Sequence, residues 1–98
     1  MEKEAKTYAQ EIGVRPSRIK VKEFKSRWGS CSSSGEIIYN WKIIMSPDPI
    51  VDYVVVHELC HLVHQDHSKQ YWHKVRSIIP DYQSKRDWLK VNSSLLGW

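Results

Sequence analysis

Polar and apolar residues follow two different rhythms along this chain, and the change comes near its middle. Residues 3–12 place Ala5, Tyr8, Ala9 and Ile12 at i, i+3, i+4 and i+7, the period of one helical face. Gly13 is a natural stop for that helix. After Pro16-Ser17, which predicts a turn, Ile19-Lys20-Val21-Lys22-Glu23-Phe24 alternates in and out as a half-buried strand does. Trp28 to Gly35 contains Gly29, Ser30, Ser32, Ser33 and Ser34, and predicts a turn. Glu36 to Met45 is rich in β-branched and aromatic residues and predicts one or two strands around Asn40.

The second rhythm starts at Ser46-Pro47-Asp48-Pro49, where Asp48 can cap a helix and Pro49 suits its first turn. From Ile50 to about Gln65 nearly every side is apolar, which predicts a buried central helix. Its β-branched content also suits a strand, but the length and the capping residues favour a helix. Ser68 can cap a further helix to Ile79, stopped by Pro80, and Asp81 another through about Ser94. A helix, then strands, then helices predicts an α+β fold, with an antiparallel-type sheet packed on the central helix.

Composition narrows the class. Ninety-eight residues predict a single domain, residues 1–98, and 41% hydrophobic with 27% charged residues is too apolar for disorder. The longest apolar run, Tyr53-Val54-Val55-Val56, is far short of a membrane span. The N-terminal residues Met1 to Lys6 do not resemble a secretory signal. Two cysteines, Cys31 and Cys60, are too few for a disulfide scaffold, so a reducing cytoplasm with both thiols free is expected. The net charge of +4 does not by itself argue for nucleic acid. Arg15, Arg18, Lys20, Lys22, Lys25 and Arg27 do crowd together, as a solvated strand face or a phosphate contact.

The chemistry lies inside the central helix. His57-Glu58-Leu59-Cys60-His61 is an HExxH motif. Residues four apart share a helical face about 6 Å apart along the axis, so two imidazoles can grip one metal ion. Glu58 lies about 100° round from His57, able to reach a water on that metal without being a ligand. Zn²⁺ is the expected ion, because it favours nitrogen and keeps an open position in catalytic sites. A buried helix with two satisfied core histidines is the competing reading. It leaves Glu58 a costly buried charge, which a metal site relieves.

A catalytic zinc normally has three protein ligands. Glu58 is the last glutamate in the chain, so a later glutamate ligand is excluded. His64, His67, His73 and Asp66, Asp81 or Asp87 remain. On an unbroken helix His64 lies about 10.5 Å along the axis from His57, and three ligands on one rod close a tetrahedral corner badly. His67 follows the polar Gln65-Asp66, where the chain can turn back, and is favoured. The spacing is then similar to HExxHxxxxxH of the metzincin-type proteases. His64 replaces their bending glycine, and Met45 is the last methionine, so their Met turn is missing. Cys60 in the motif and Cys31 in Trp-Gly-Ser-Cys read as packing residues rather than ligand or nucleophile.

Arg27-Trp28-Gly29-Ser30-Cys31-Ser32, Asn40-Trp41, Asp52 to Leu62, His67-Ser68 with Tyr71-Trp72, and Pro80-Asp81-Tyr82 together resemble the YgjP-like metal-dependent hydrolases, within the SprT and WLM group of zincin-like peptidases. The resemblance runs from about Gly13 to Leu89. It implies a small zincin-like α+β domain, ligands His57, His61 and His67, and Glu58 as general base. Family members commonly carry an extra N-terminal region, so the chain reads as a fragment or a naturally minimal member.

A zinc-dependent peptidase acting on a peptide or protein substrate is therefore expected. Zincin peptidases bind extended peptide along a sheet edge, for which Glu36–Met45 is the candidate. The alternatives are a nucleotide or phosphoanhydride hydrolase, motivated by the basic stretch, and a nucleic-acid-binding module whose structural zinc has a fourth protein ligand. No membrane partner is expected.

Overall fold

The helical period at the start of the chain is realised as α1 (Glu2–Ile12) in the computed structural model, which describes residues 2–23, 28–64 and 66–92. Ala5, Ala9 and Ile12 are buried along one face, with Tyr8 half-buried beside them. Gly13 ends the helix at a φ of 88°, where its N–H and that of Val14 both bond to the Ala9 carbonyl at 2.9 Å. That left-handed turn suits a residue without Cβ.

Three strands follow, β1 (Arg18–Lys22), β2 (Gly29–Cys31) and β3 (Glu36–Asn40), arranged β1-β3-β2. β3 is central, and Ile37 and Tyr39 are buried on it. β2 pairs antiparallel with β3 across the tight Ser32–Gly35 turn, Cys31 opposite Ile37 and Gly29 opposite Tyr39. β1 runs parallel to β3, Ile19 opposite Ile37 and Val21 opposite Tyr39. The sheet is thus mixed, not antiparallel throughout, because β2 intervenes in sequence and lets β1 and β3 run the same way. Phe24, expected at the end of the first strand, lies outside the described residues.

Within this sheet one expectation is corrected and another narrowed. Gly29–Cys31 is a strand although its residues predict a turn; pairing with β3 overrides their weak strand propensity. Glu36–Met45 supplies one strand, not two. At Asn40 the side-chain oxygen accepts the Lys42 N–H at 3.0 Å, and Trp41–Met45 winds into a 3₁₀ helix. β3 is central and so is not an open edge; among the described residues β2 lies at one edge of the sheet, against the next helix.

α2 (Asp48–Cys60) is the buried centre of the molecule, packed against α1, β2, β3 and the two later helices. Pro47 flanks its start, so Asp48 is its first helical residue rather than its cap, an acid in the first turn. Every residue from Tyr53 to Cys60 is buried. The β-branched run Val54-Val55-Val56 is held helical by that packing, and the Tyr39 hydroxyl donates to the Val55 carbonyl at 3.0 Å.

α2 ends at Cys60, earlier than the apolar run predicts. The N–H groups of His61, Leu62 and Val63 turn back to carbonyls three residues before them, tightening the chain as a 3₁₀ end does. Beyond lies polar sequence with no apolar face to bury. α3 (Lys69–Ile78) starts where expected, its Tyr71 N–H bonded to the Ser68 hydroxyl at 3.4 Å, and Ile79 ends it before Pro80. α4 (Tyr82–Asn92) follows, with the Asp81 carboxylate on Lys85 at 2.9 Å. Its expected end at Ser94 lies outside the described residues. Among the described residues no helix is long and apolar enough to cross a membrane.

Candidate metal centre

The early end of α2 places three histidines together. His57 lies within the helix and is 8% exposed; His61 is its flanking residue; exposed His67 follows the turn, just before α3. One ring nitrogen from each lies within 4.8 Å of the other two. Nε2 of His61 faces Nε2 of His67 at 3.1 Å. Two imidazoles on one tetrahedral zinc at 2.0–2.1 Å sit about 3.3 Å apart, so the pair has the separation such an ion needs. Among the described residues no other group of three His, Cys, Asp or Glu converges in this way.

The far side of each α2 ring is held. His61 donates its Nδ1–H to the His64 carbonyl at 3.2 Å, since a carbonyl oxygen can only accept, and in the neutral ring this leaves Nε2 as the bare nitrogen. The Tyr53 hydroxyl, one turn before His57 on the same helix, lies 3.1 Å from its Nδ1. The Tyr71 hydroxyl donates to the His57 carbonyl at 2.7 Å. Burial first, then the charges of His61, His67 and Arg86, push the His57 pKa down from its ordinary 6.5 to about 3. His57 is therefore a neutral imidazole across the physiological range, the form that can bind a metal.

Aromatic rings make the rest of the mould. Tyr71 stacks on His61 with centroids 4.5 Å apart, and Trp72 stacks on His67 at 5.4 Å. Trp28 meets His57 edge-on at 6.0 Å. Ser68 capping of α3 fixes Tyr71 and Trp72 on its first turn, so the cap that starts α3 also builds the platform for His67.

Glu58 is 4% exposed and, with β2 and the three histidines, lines a cavity of about 530 Å³. The approach is close. A Cβ placed on Gly29 would lie 3.1 Å from Oε2 of Glu58, 3.2 Å from its Cγ and 3.0 Å from the Ile38 carbonyl oxygen. Glycine at 29 lets the carboxyl lie against the strand. Cys31 lines the same cavity, and burial, together with the Glu58 charge, pushes its thiol up to about 11. It is protonated at neutral pH and no ready nucleophile. Cys60 is fully buried, with its thiol pushed up to about 12 by burial.

The other ligand candidates lie elsewhere. The His64 side chain is outside the cluster, and its role is the carbonyl that orients His61. His73 and Asp66 are exposed, Asp81 pairs with Lys85, and Asp87 accepts a hydrogen bond from Gln83 at 3.1 Å. Gly29, Tyr53 and Tyr71 were not singled out from sequence for these roles. Tyr53 had a readable signal, a polar-tipped residue four before His57 in an apolar helix. Gly29 and Tyr71 act across the fold, and their signal is their place in the motifs that carry the family resemblance.

Comparison with known proteins gives the family and the fold. The family model described as YgjP-like, metallopeptidase domain, matches residues 1–92. No curated protein sequence matches the chain. Among solved structures, the metallopeptidase zymogen of Pyrococcus abyssi abylysin is 19% identical, with a TM-score of 0.81 over 96% of this chain and 93% of that one. The metallopeptidase zymogen of Methanocaldococcus jannaschii jannalysin is 17% identical, with a TM-score of 0.78 over 96% of this chain and 95% of that one. At these identities the likeness is one of fold.

Proposed function

This chain belongs to the YgjP-like metallopeptidase-domain family, and we propose that it is a zinc peptidase in which His57, His61 and His67 hold the metal through Nε2 and Glu58 is the general base. The observation that carries the reading is the convergence of the three imidazoles beside a buried carboxyl in one cleft. The donor set suits zinc: three nitrogens, with no thiolate or fourth protein donor among the described residues, leave one position open. Bound there, zinc supplies Lewis acidity and brings the pKa of a water toward ~7.

The remaining work falls to the chain's own groups. Binding through Nε2 selects the tautomer in which His57 donates Nδ1–H to the Tyr53 oxygen, as His61 donates to the His64 carbonyl. Glu58 accepts a proton from the attacking water and delivers it to the leaving amine. Its contact with Gly29 holds the carboxyl on the β2 side of the cleft. β2 pairs only with β3 among the described residues, so its outer edge can take an extended peptide by main-chain hydrogen bonds. β2 thereby replaces Glu36–Met45 as the proposed substrate edge. Cys31 and Cys60 are both free thiols, which suits a reducing, cytoplasmic setting.

Glu58→Gln tests the chemistry. The variant should keep zinc and lose peptide hydrolysis by about 10²–10⁴-fold, the usual worth of a general base. Undiminished turnover removes Glu58 from that role.

A further inference from the structure

A second cavity, of about 650 Å³, lies on the α4 side of the same histidines. Trp28, His57 and His67 line both cavities, so the two meet at the metal centre. A peptide whose scissile carbonyl sits at that centre sends one flank toward β2 and the other into this second space. The walls differ in chemistry. The β2 side offers backbone and serine hydroxyls. The α4 side offers two cations one helical turn apart, Arg86 and Lys90, together with Gln83 and Asp87.

Asp87 is engaged by Gln83, and Lys85 by Asp81. Arg86 has no carboxylate partner among the described residues. Its guanidinium carbon lies 4.4 Å from the centroid of the Trp72 ring, the same ring that stacks on His67 at 5.4 Å and on Tyr82 at 5.1 Å. A guanidinium held over an indole face still has N–H groups to offer a ligand. Two of them match a carboxylate with parallel hydrogen bonds. Lys90 adds a second positive charge, so the lining stays net positive despite Asp87.

We propose that the α4-side cavity is a carboxylate subsite, in which Arg86 selects peptides bearing a carboxylate immediately beside the scissile bond. The inference rests on the peptidase reading above and names its substrate class. The carboxylate is that of a Glu or Asp side chain, or of a chain terminus one residue beyond the cut.

The test uses matched peptides of one core sequence. One carries Glu beside the scissile bond and an amidated end, a second has Gln there, and a third ends at that Gln as a free acid. Glu and Gln are placed in turn on each flank. Each peptide is also made with its scissile amide reduced to a methyleneamine, so that calorimetry reads binding without hydrolysis. For the zinc-loaded full chain, kcat/KM for one carboxylate peptide should exceed that for the neutral one by about 10-fold or more, with a parallel ratio in affinity. The favoured peptide identifies the source of the carboxylate.

In Arg86→Gln that ratio should fall to within about twofold, and in Arg86→Lys, which keeps charge without the fork, only part of the way. A wild-type ratio near one in both readouts, or one that persists in Arg86→Gln, overturns the subsite. Cleavage without preference leaves the peptidase reading standing and this one refuted. Arg86-dependent binding of the reduced peptides without any cleavage does the reverse.

Discussion

His57 and Glu58 sit on α2 with 8% and 4% of their surface exposed, whereas His67 lies exposed on the connection between α2 and α3. The first pair is placed by helix pitch inside a packed core. His67 is placed by a short turn and by the ring of Trp72 beneath it. The contrast separates two duties. The α2 residues carry the fold as well as the site, so their geometry is rigid and their loss is costly. The connection carries the site alone, and its polar residues contribute little to the core.

The sharpest way to break this contrast is to remove one histidine from each region. His57→Ala and His67→Ala should both bind zinc far more weakly, since each leaves two ligands of three. They should differ in metal-free stability. His57→Ala leaves a buried void and a Tyr53 hydroxyl without its partner, and should cost about 1–3 kcal/mol in denaturant unfolding. His67→Ala, at an exposed position, should change it by no more than about 0.5 kcal/mol. Equal losses would mean that the two regions are not distinct.

Gly29→Ala probes the wall facing α2. The added methyl meets Glu58 and the Ile38 carbonyl at 3.0–3.2 Å, so the carboxyl must shift. Overpacking of this kind costs about 1–3 kcal/mol. Peptide turnover should fall about 10-fold or more, because the base loses its place, while zinc stays bound to the untouched histidines. Loss of zinc together with turnover would show that Gly29 supports the whole site rather than Glu58.

These contacts also mark how far the sequence could be read. The HExxH pair was legible because helix pitch is a local property: a spacing of four puts His57 and His61 on one face in any helix. His67 was legible through a polar break in an apolar run. β2 was not, because Gly-Ser-Cys has no strand preference of its own and takes its shape from β3. The early end of α2 was hidden for a related reason. Leu62 and Val63 continue the apolar pattern, and only the bonded turn shows that they have left the helix. The parallel pairing of β1 with β3 depends on which strand lies between them, which periodicity does not encode.

Tyr53→Phe is the gentlest of these perturbations. It removes one hydroxyl from the Nδ1 side of His57 and leaves the ring packing intact. Loss of such an orienting partner typically weakens metal affinity by about 10–100-fold, and the low end is expected here because the helix itself still aims the ring. Competition with a chelator of known affinity reads the change. An unchanged affinity would assign the orientation of His57 to packing alone.

X-ray absorption at the zinc edge of the metal-loaded full chain tests the central claim most directly. Three imidazole nitrogens and one oxygen at about 2.0–2.1 Å are predicted, with one imidazole fewer in His67→Ala. A sulfur in the shell, or an imidazole count that His67→Ala leaves unchanged, would contradict the site.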